Sequence, residues 1–566
     1  MMEDCGNRIM SEEYSDFIAD YELASDGVFS NDTCYIKIDS LLTAVYIPRN
    51  LVPVKTLDVY GYKLFIRVLG LMDTRSLEAS GVTRLRNIPS LNLKGQGVLV
   101  GIVDTGIDYT HQAFIKADGT TKIVSIWDQF IQTGNPPEGL YYGTEYTREQ
   151  IDLALQNSDP RSVVPSMDDI GHGTFLAGVA AGNEDNNNGF SGVVPDAELV
   201  IVKLKPAKNR IKEFYMLSPD TICYQENDVM LGVKYLLDVA TKLNRPISIC
   251  IGLGTSQGSH DDAGALSVYL STVAQMNGVS VAIAAGNEGN SRHHYENTIP
   301  LGTDSDIVEL NVGPNESGIY MEIWGDVPNT FGVGLTSPGG EFIPAIVPKI
   351  NERREVSFIF ETTIINIYFQ LVGSRSGAQL VILRFQNPSE GIWRIEIKKM
   401  NKTLDFHFNM WLPINGFIRD TTYFVKSNPY TTLTSPGNTY IPIITTAYDG
   451  ANGSLFINAS RGYNRTGQIS PDLAAPGVNI LGPSKENSYV MMSGTSVAAA
   501  HTSGITAMLL EWGIIRGNVK YLDGADIKNL LIRGAEREPG MPYPNREWGY
   551  GILDVYGVFE IMRGNS

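Results

Sequence analysis

Apolar and polar positions follow two different rhythms along this chain. From Gly97 onward, uninterrupted apolar runs alternate with segments of helical spacing. "GVLVGIVDTG" is apolar until it ends in Asp and Gly, as a strand buried on both faces does. "HGTFLAGVAAG" predicts a helix of small residues, and "AELVIVKL" a second buried strand. "DVMLGVKYLLDVATKL" has helical spacing and leads into the strand "PISICIGLG"; "GALSVYLSTVAQMNG" likewise leads into "VSVAIAAGNEGN". Strand–helix alternation of this kind predicts an α/β fold, a parallel sheet with helices on both faces.

The rhythm changes near Pro300. Up to about Tyr430 the runs are short and β-rich: "DIVELNVG", "GIYMEIWG", "VSFIFETTIINIYFQLVG", "QLVILRF", "GIWRIEIKKM" and "LDFHFNMWL". Gly, Pro and Asn punctuate them, which predicts a β-sandwich. The α/β pattern resumes at "YIPIITTAYD" and continues to the end, so the sandwich is expected as an insertion. Residues from about 30 to 72 hold further short β runs, "CYIKIDS", "TAVYIP" and "GYKLFIRVLGLM", expected to form a small unit of their own. The expected divisions are 1–74, 75–300, 301–429 and 430–566.

Composition narrows the partners. A net charge of −18 argues against nucleic acid, whose phosphates call for clustered Lys and Arg. The acidic N-terminal stretch lacks the apolar core of a signal peptide, so synthesis in the cytoplasm is expected. No apolar run approaches the roughly 18 residues of a membrane span. Cys5, Cys34, Cys223 and Cys250 are widely spaced and include no CxxC, so buried or free thiols are expected, and neither a zinc site nor a disulfide framework.

Three residues carry candidate chemistry. In "MMSGTSVAAAH", Ser496 stands where a tight turn enters an Ala-rich helix. A helix N-terminus exposes unpaired N–H groups that stabilise an oxyanion, which suits a nucleophile. On that stretch alone an N-cap serine is the simpler reading. A nucleophilic serine needs a base, and the base an orienting carboxylate. Asp104 ends the buried strand in "GIVDTGID", where α/β sheets place ligands and catalysts. His172 lies between Gly171 and Gly173 at a helix start. Each alone has a structural reading as a cap or turn residue. Asp108 reads as a turn residue and His501 as helix packing behind the nucleophile. His111, His260, His293, His294 and His407 sit in no comparable motif.

Taken together, "VDTGID", "GHGTFLAGVAAG", "AAGNEGN" and "SGTSVAAAH" resemble the four signature segments of subtilisin-like serine proteases, in the Asp, His, Ser order of that family. The resemblance covers roughly residues 75–300 and 430–566. It implies a subtilisin-like α/β fold, with Ser496 as nucleophile, His172 as general base and acid, and Asp104 as the orienting carboxylate. Asn287 matches the oxyanion-hole side chain, and removing such a donor costs about 10²–10³ in kcat. Gly252, Leu253 and Gly254 match the substrate-edge strand, and Ala284, Ala285 and Gly286 one wall of the pocket for the residue preceding the scissile bond. Ser493, Val497 and Ala500 depart from the commonest family pattern without removing a reacting group. The chemistry implied needs no cofactor and no metal; structural calcium stays open.

The β-rich start, the inserted β region and the "LMDTRSLEASGV" junction further resemble the Csp proteases of clostridial spores. That resemblance implies a small α+β prodomain acting as chaperone and inhibitor, and a jelly-roll-like insertion. It also implies packaging in the spore and, as protein substrate, the zymogen of a cortex-lytic enzyme. Self-cleavage is expected between Gly70 and Ser76, that is among Gly70, Leu71, Met72, Asp73, Thr74, Arg75 and Ser76. The tail so formed is expected to lie in the cleft by strand addition, making the prodomain a partner of its own enzyme.

Overall fold

A computed structural model describes residues 2–20, 34–52, 66–71, 78–349, 352–373 and 376–564. Its centre is an eight-stranded sheet. In spatial order the strands are Leu473–Pro476, Ile443–Tyr448, Val279–Ala284, Ile247–Ile251, Leu99–Asp104, Glu198–Lys203, Ile123–Asp128 and Thr144–Thr147. The first seven run parallel, and Thr144–Thr147 closes one edge antiparallel.

The continuous apolar runs follow from burial on both faces. In Leu99–Asp104, Val100 and Ile102 enter one core, with the helices His172–Ala181 and Thr495–Leu510. Leu99 and Val103 enter the opposite core, with Glu226–Leu243 and Ala265–Val273. Leu99–Asp104 therefore has no solvent face, and alternation is lost from its sequence.

The β-rich middle forms two antiparallel sheets. One has the order His294–Ile299, Phe406–Trp411, Gly318–Gly325, Gln379–Gln386, Ile364–Gln370 and Glu352–Ser357. The other has the order Phe342–Ile346, Phe331–Thr336, Gly391–Lys399, Ser305–Val312 and Tyr423–Phe424. Trp393, Phe385, Phe358 and the alternate apolar residues of both sheets share one core. The first strand begins at His294, ahead of the break read at Pro300, because "HHYENTI" hides a strand behind polar residues that pair with Phe406–Trp411. The run "VSFIFETTIINIYFQLVG" is not one strand but parts of two, since the chain reverses between Ser357 and Ile364.

At the N-terminus, Tyr14–Asp20, Leu42–Pro48 and Cys34–Lys37 pair antiparallel beneath the helix Met2–Met10. The helix and its following strand left no clear sequence signal, because "YSDFIAD" carries just three consecutive apolar residues between acids. Two of the four cysteines are not the free thiols expected. Cys5 and Cys34 are joined in a disulfide, their Cα atoms brought to 5.6 Å where the helix meets the strand, while Cys223 and Cys250 are buried and free. Among the described residues no helix is long and apolar enough to cross a membrane.

A charged cluster ties the inserted sheets to the parallel-sheet body. Arg465 donates to Asp261 at 2.8 Å and to Asp326 at 2.5 Å. Asp326 also holds His407 Nδ1 at 2.8 Å, and Glu296 holds its Nε2 at 3.0 Å. Hydrogen bonds to these two carboxylates push the His407 imidazolium up to about 9. The raised value means protonation stabilises the folded chain fully below the unfolded value of about 6.5, and that contribution is lost as pH rises through about 9. Melting temperatures of the wild type and His407→Gln should therefore differ most near pH 6 and converge by about pH 10. A difference that stays constant across that range would exclude this cluster as a charged tie.

Candidate active site

The parallel sheet delivers Asp104 to the carboxyl end of one of its central strands. His172 is the first residue of His172–Ala181 and Ser496 the second of Thr495–Leu510. Both helices pack in the same layer, and nearly all their residues are small or apolar and buried. The turn into the first helix needs Gly171, whose φ of 96° lies in the left-handed region. Asp168 caps that helix. One carboxylate oxygen accepts the Gly171 N–H at 2.7 Å, the other the Thr174 N–H at 2.8 Å and hydroxyl at 2.7 Å.

His172 Nδ1 lies 2.8 Å from Asp104 Oδ1, and its Nε2 lies 3.2 Å from Ser496 Oγ. The carboxylate accepts, so Nδ1 carries the proton and Nε2 is left as the base facing the hydroxyl. The Thr105 N–H, 2.8 Å from the same Asp104 oxygen, fixes the carboxylate. The three side chains are almost wholly buried. In such a setting the carboxylate holds the tautomer and would stabilise an imidazolium formed beside it.

Asn287 is oriented by Thr495, the neighbour of Ser496. Its Oδ1 accepts the Thr495 N–H and hydroxyl, each at 3.1 Å, which leaves its amide NH₂ as the donating end. The Thr495 hydroxyl in turn accepts the Gly286 N–H at 3.0 Å. Ala284, Ala285 and Gly286 form a buried wall. A Cβ at Gly286 would stand 2.6 Å from the hydroxyls of Thr434 and Ser460. Those two residues, like Thr495 and Asp168, escaped the sequence reading; an acid just before a helix start was the one signal available.

Gly252 lies directly beside the His172–Ser496 pair. A Cβ there would stand 3.1 Å from Ser496 Cβ and 3.4 Å from His172 Cε1. The next residues, Leu253 and Gly254, pair antiparallel with Leu71 and Gly70 of the chain's own strand Val68–Leu71. On its other side that strand pairs with Tyr224–Gln225, a second edge that a two-residue strand could not reveal in the sequence. Of the expected self-cleavage residues, Gly70 and Leu71 lie in this strand; Met72, Asp73, Thr74, Arg75 and Ser76 lie outside the described residues.

The other candidates have structural roles. Asp108 accepts the Thr110 hydroxyl at 2.6 Å and the Glu486 N–H at 3.0 Å. His501 is buried in the Ser496 helix and bonds Ser80. His260 stacks on Trp411 with ring centroids 4.0 Å apart. Among the described residues, no group of three or more His, Cys, Asp or Glu is arranged to hold a metal ion.

The Peptidase S8 family, described as the subtilase family, matches residues 95–342 and 362–551. The solved structure of the Clostridium perfringens CspB protease superposes with a TM-score of 0.76 at 33% identity, over 86% of this chain and 96% of that one. A C5a peptidase of Streptococcus pyogenes is 22% identical over 82% of this chain and 40% of its own length. The subtilisin-like protease SBT2.2 of Arabidopsis thaliana is 24% identical over 74% of this chain and 54% of its own. The chain thus spans about two fifths to one half of these two relatives.

Asp168→Ala removes the acceptor of several buried donors at the start of the His172 helix. It should lower stability by about 1–3 kcal/mol, measured as a fall in melting temperature. Asp168→Asn should recover part of that loss; equal melting of all three proteins would contradict the capping role.

Proposed function

Since this chain belongs to the subtilase family, we propose that it is a serine endopeptidase that uses Asp104, His172 and Ser496 as its catalytic triad. The observation carrying this reading is the continuous path from Asp104 Oδ1 through His172 to Ser496 Oγ, with steps of 2.8 and 3.2 Å. Ser496 Oγ attacks the scissile carbonyl while His172 Nε2 takes its proton. The oxyanion is held by the Asn287 NH₂ and by the backbone N–H of Ser496 at the helix start. His172 then returns the proton to the leaving amine, and water releases the acyl group by the same steps in reverse order. No metal enters these steps.

The first substrate in this reading is the chain itself. Val68–Leu71 already lies between both edges of the cleft and runs towards Gly252, beside Ser496. The cut would fall within the expected junction, Gly70 to Ser76, and the N-terminal unit would stay as an inhibitor by the same strand pairing. The protein substrate in trans would be the zymogen of a cortex-lytic enzyme, in a chain carried in the spore. Similarity to CspB over nearly the whole of that structure supports this.

Intact mass gives the test. The purified wild type should comprise two co-eluting chains, the smaller of roughly residues 1–74, whereas Ser496→Ala should be one uncut chain. An uncut wild type, or a cut Ser496→Ala, overturns the self-processing. In the processed enzyme, Asn287→Leu should lower kcat about 10²–10³-fold with little change in KM. A KM effect with kcat intact would remove Asn287 from the oxyanion site.

A further inference from the structure

Resting on the proteolytic reading, we propose that the cleft contains a subsite for a guanidinium group, occupied here by the chain's own Arg67. Arg67 continues the pairing of Val68–Leu71 along the Tyr224–Gln225 edge. Its carbonyl accepts the Glu226 N–H at 2.9 Å, and its own N–H donates to Glu226 Oε2 at 3.3 Å. The Tyr215 hydroxyl donates to the carbonyl of Ile66 at 2.8 Å and fixes the residue before it.

The side chain enters a slot whose walls are bare backbone. A Cβ at Gly258 would come within 2.9 Å of the Arg67 Cζ, and one at Gly264 would overlap its Nη1. The slot is acidic. Arg67 Nη1 lies 3.9 Å from Glu226 Oε1, with the two side chains 11% and 3% exposed. Behind Gly258 lies a second buried carboxylate. Glu322 Oε2 accepts the Gly258 N–H at 2.9 Å and the Trp324 indole N–H at 3.0 Å, while its Oε1 accepts the Tyr320 hydroxyl at 2.9 Å. Two missing Cβ atoms leave room for a flat group, and two buried carboxylates favour a cationic one.

The slot belongs to the cleft and not to the N-terminal unit, because Gly258, Gly264 and Glu226 come from the main body and Glu322 from the inserted sheets. A polypeptide pairing with the same two edges in the same register sets one side chain into it: the residue three positions before the one opposite Gly254. A neutral side chain there would leave Glu226 held by backbone N–H groups alone, that of Leu266 at 3.1 Å and that of the paired strand, with no cation beside it, and an acidic one would be repelled. The substrate class is therefore a polypeptide with arginine at that position, lysine second, since an ammonium carries the charge without the planar fork.

Peptides spanning residues 60–79, with arginine, citrulline or alanine at position 67, test this on the processed full-length enzyme. Citrulline keeps the shape and removes the charge. The arginine peptide should show kcat/KM about tenfold above citrulline, with the ratio reduced in Glu226→Gln. Equal kcat/KM for all three peptides overturns the subsite and leaves Arg67 a structural residue. If the retained segment keeps every peptide out, the comparison moves into the full chain. Slower self-processing in Arg67→Ala, restored in Arg67→Lys, supports the subsite, and unchanged processing in Arg67→Ala overturns it. Failure of the proteolytic reading itself is distinct, because the wild-type chain would then stay as uncut as Ser496→Ala.

Discussion

The arrangement depends on close approach of two helices to the carboxyl end of one buried strand. Asp104 can reach His172, and His172 can reach Ser496, because His172–Ala181 and Thr495–Leu510 pack almost flush against each other and against the sheet. Ala and Gly make up half of the first helix, and a Cβ at Gly504 of the second would stand 3.0 Å from the Ala180 carbonyl oxygen, so little side-chain volume separates the backbones there. Hydroxyls supply the fixing that large apolar side chains provide elsewhere. Ser248 on the sheet donates to the Ser503 carbonyl at 2.8 Å and lies 2.6 Å from the Thr506 hydroxyl, while Thr445 bonds Thr502 at 3.2 Å. Fully satisfied buried hydroxyls of this kind specify register as well as contact.

The three parts of the chain then converge on the cleft. One face of the N-terminal sheet places Ile18, Ile36 and Tyr46 in a core with Tyr142 and Val229 of the parallel-sheet body. The other places Phe17, Val45 and Ile47 against Tyr320, Trp324 and Trp411 of the inserted sheets. Asp16 pairs with Lys208 and accepts the Gln225 side-chain amide at 2.7 Å, so the N-terminal unit grips the edge strand on which Val68–Leu71 is laid. The inserted sheets reach the same place through Glu322, which holds the Gly258 N–H. Neither added unit is peripheral: each braces one wall of the cleft.

Much of this was legible in the sequence, and the reason is local. Asp104, His172, Asn287 and Ser496 each sit where an element begins or ends, and such points carry Gly, Ser, Thr and Asp in recognisable order. The buried parallel strands were legible as unbroken apolar runs. What escaped depends on pairing between distant segments. Tyr224–Gln225 is a strand because Val68 and Leu69 lie beside it, and nothing within "CYQEN" says so. Cys5 and Cys34 are bonded because a helix and a strand meet, and their spacing carries no such information. Asp168, Thr495, Thr434 and Ser460 act through orientation of their neighbours, which residue type alone does not reveal.

The central claim is that burial and the Asp104–His172 pair make Ser496 a nucleophile, and covalent labelling measures that directly. A fluorophosphonate probe should modify the purified wild-type protein once, on Ser496, as read by peptide mass spectrometry, and labelling should collapse in His172→Ala and Asp104→Ala although both variants remain folded. Labelling that persists at the wild-type rate in His172→Ala, or that falls on a residue other than Ser496, would contradict it.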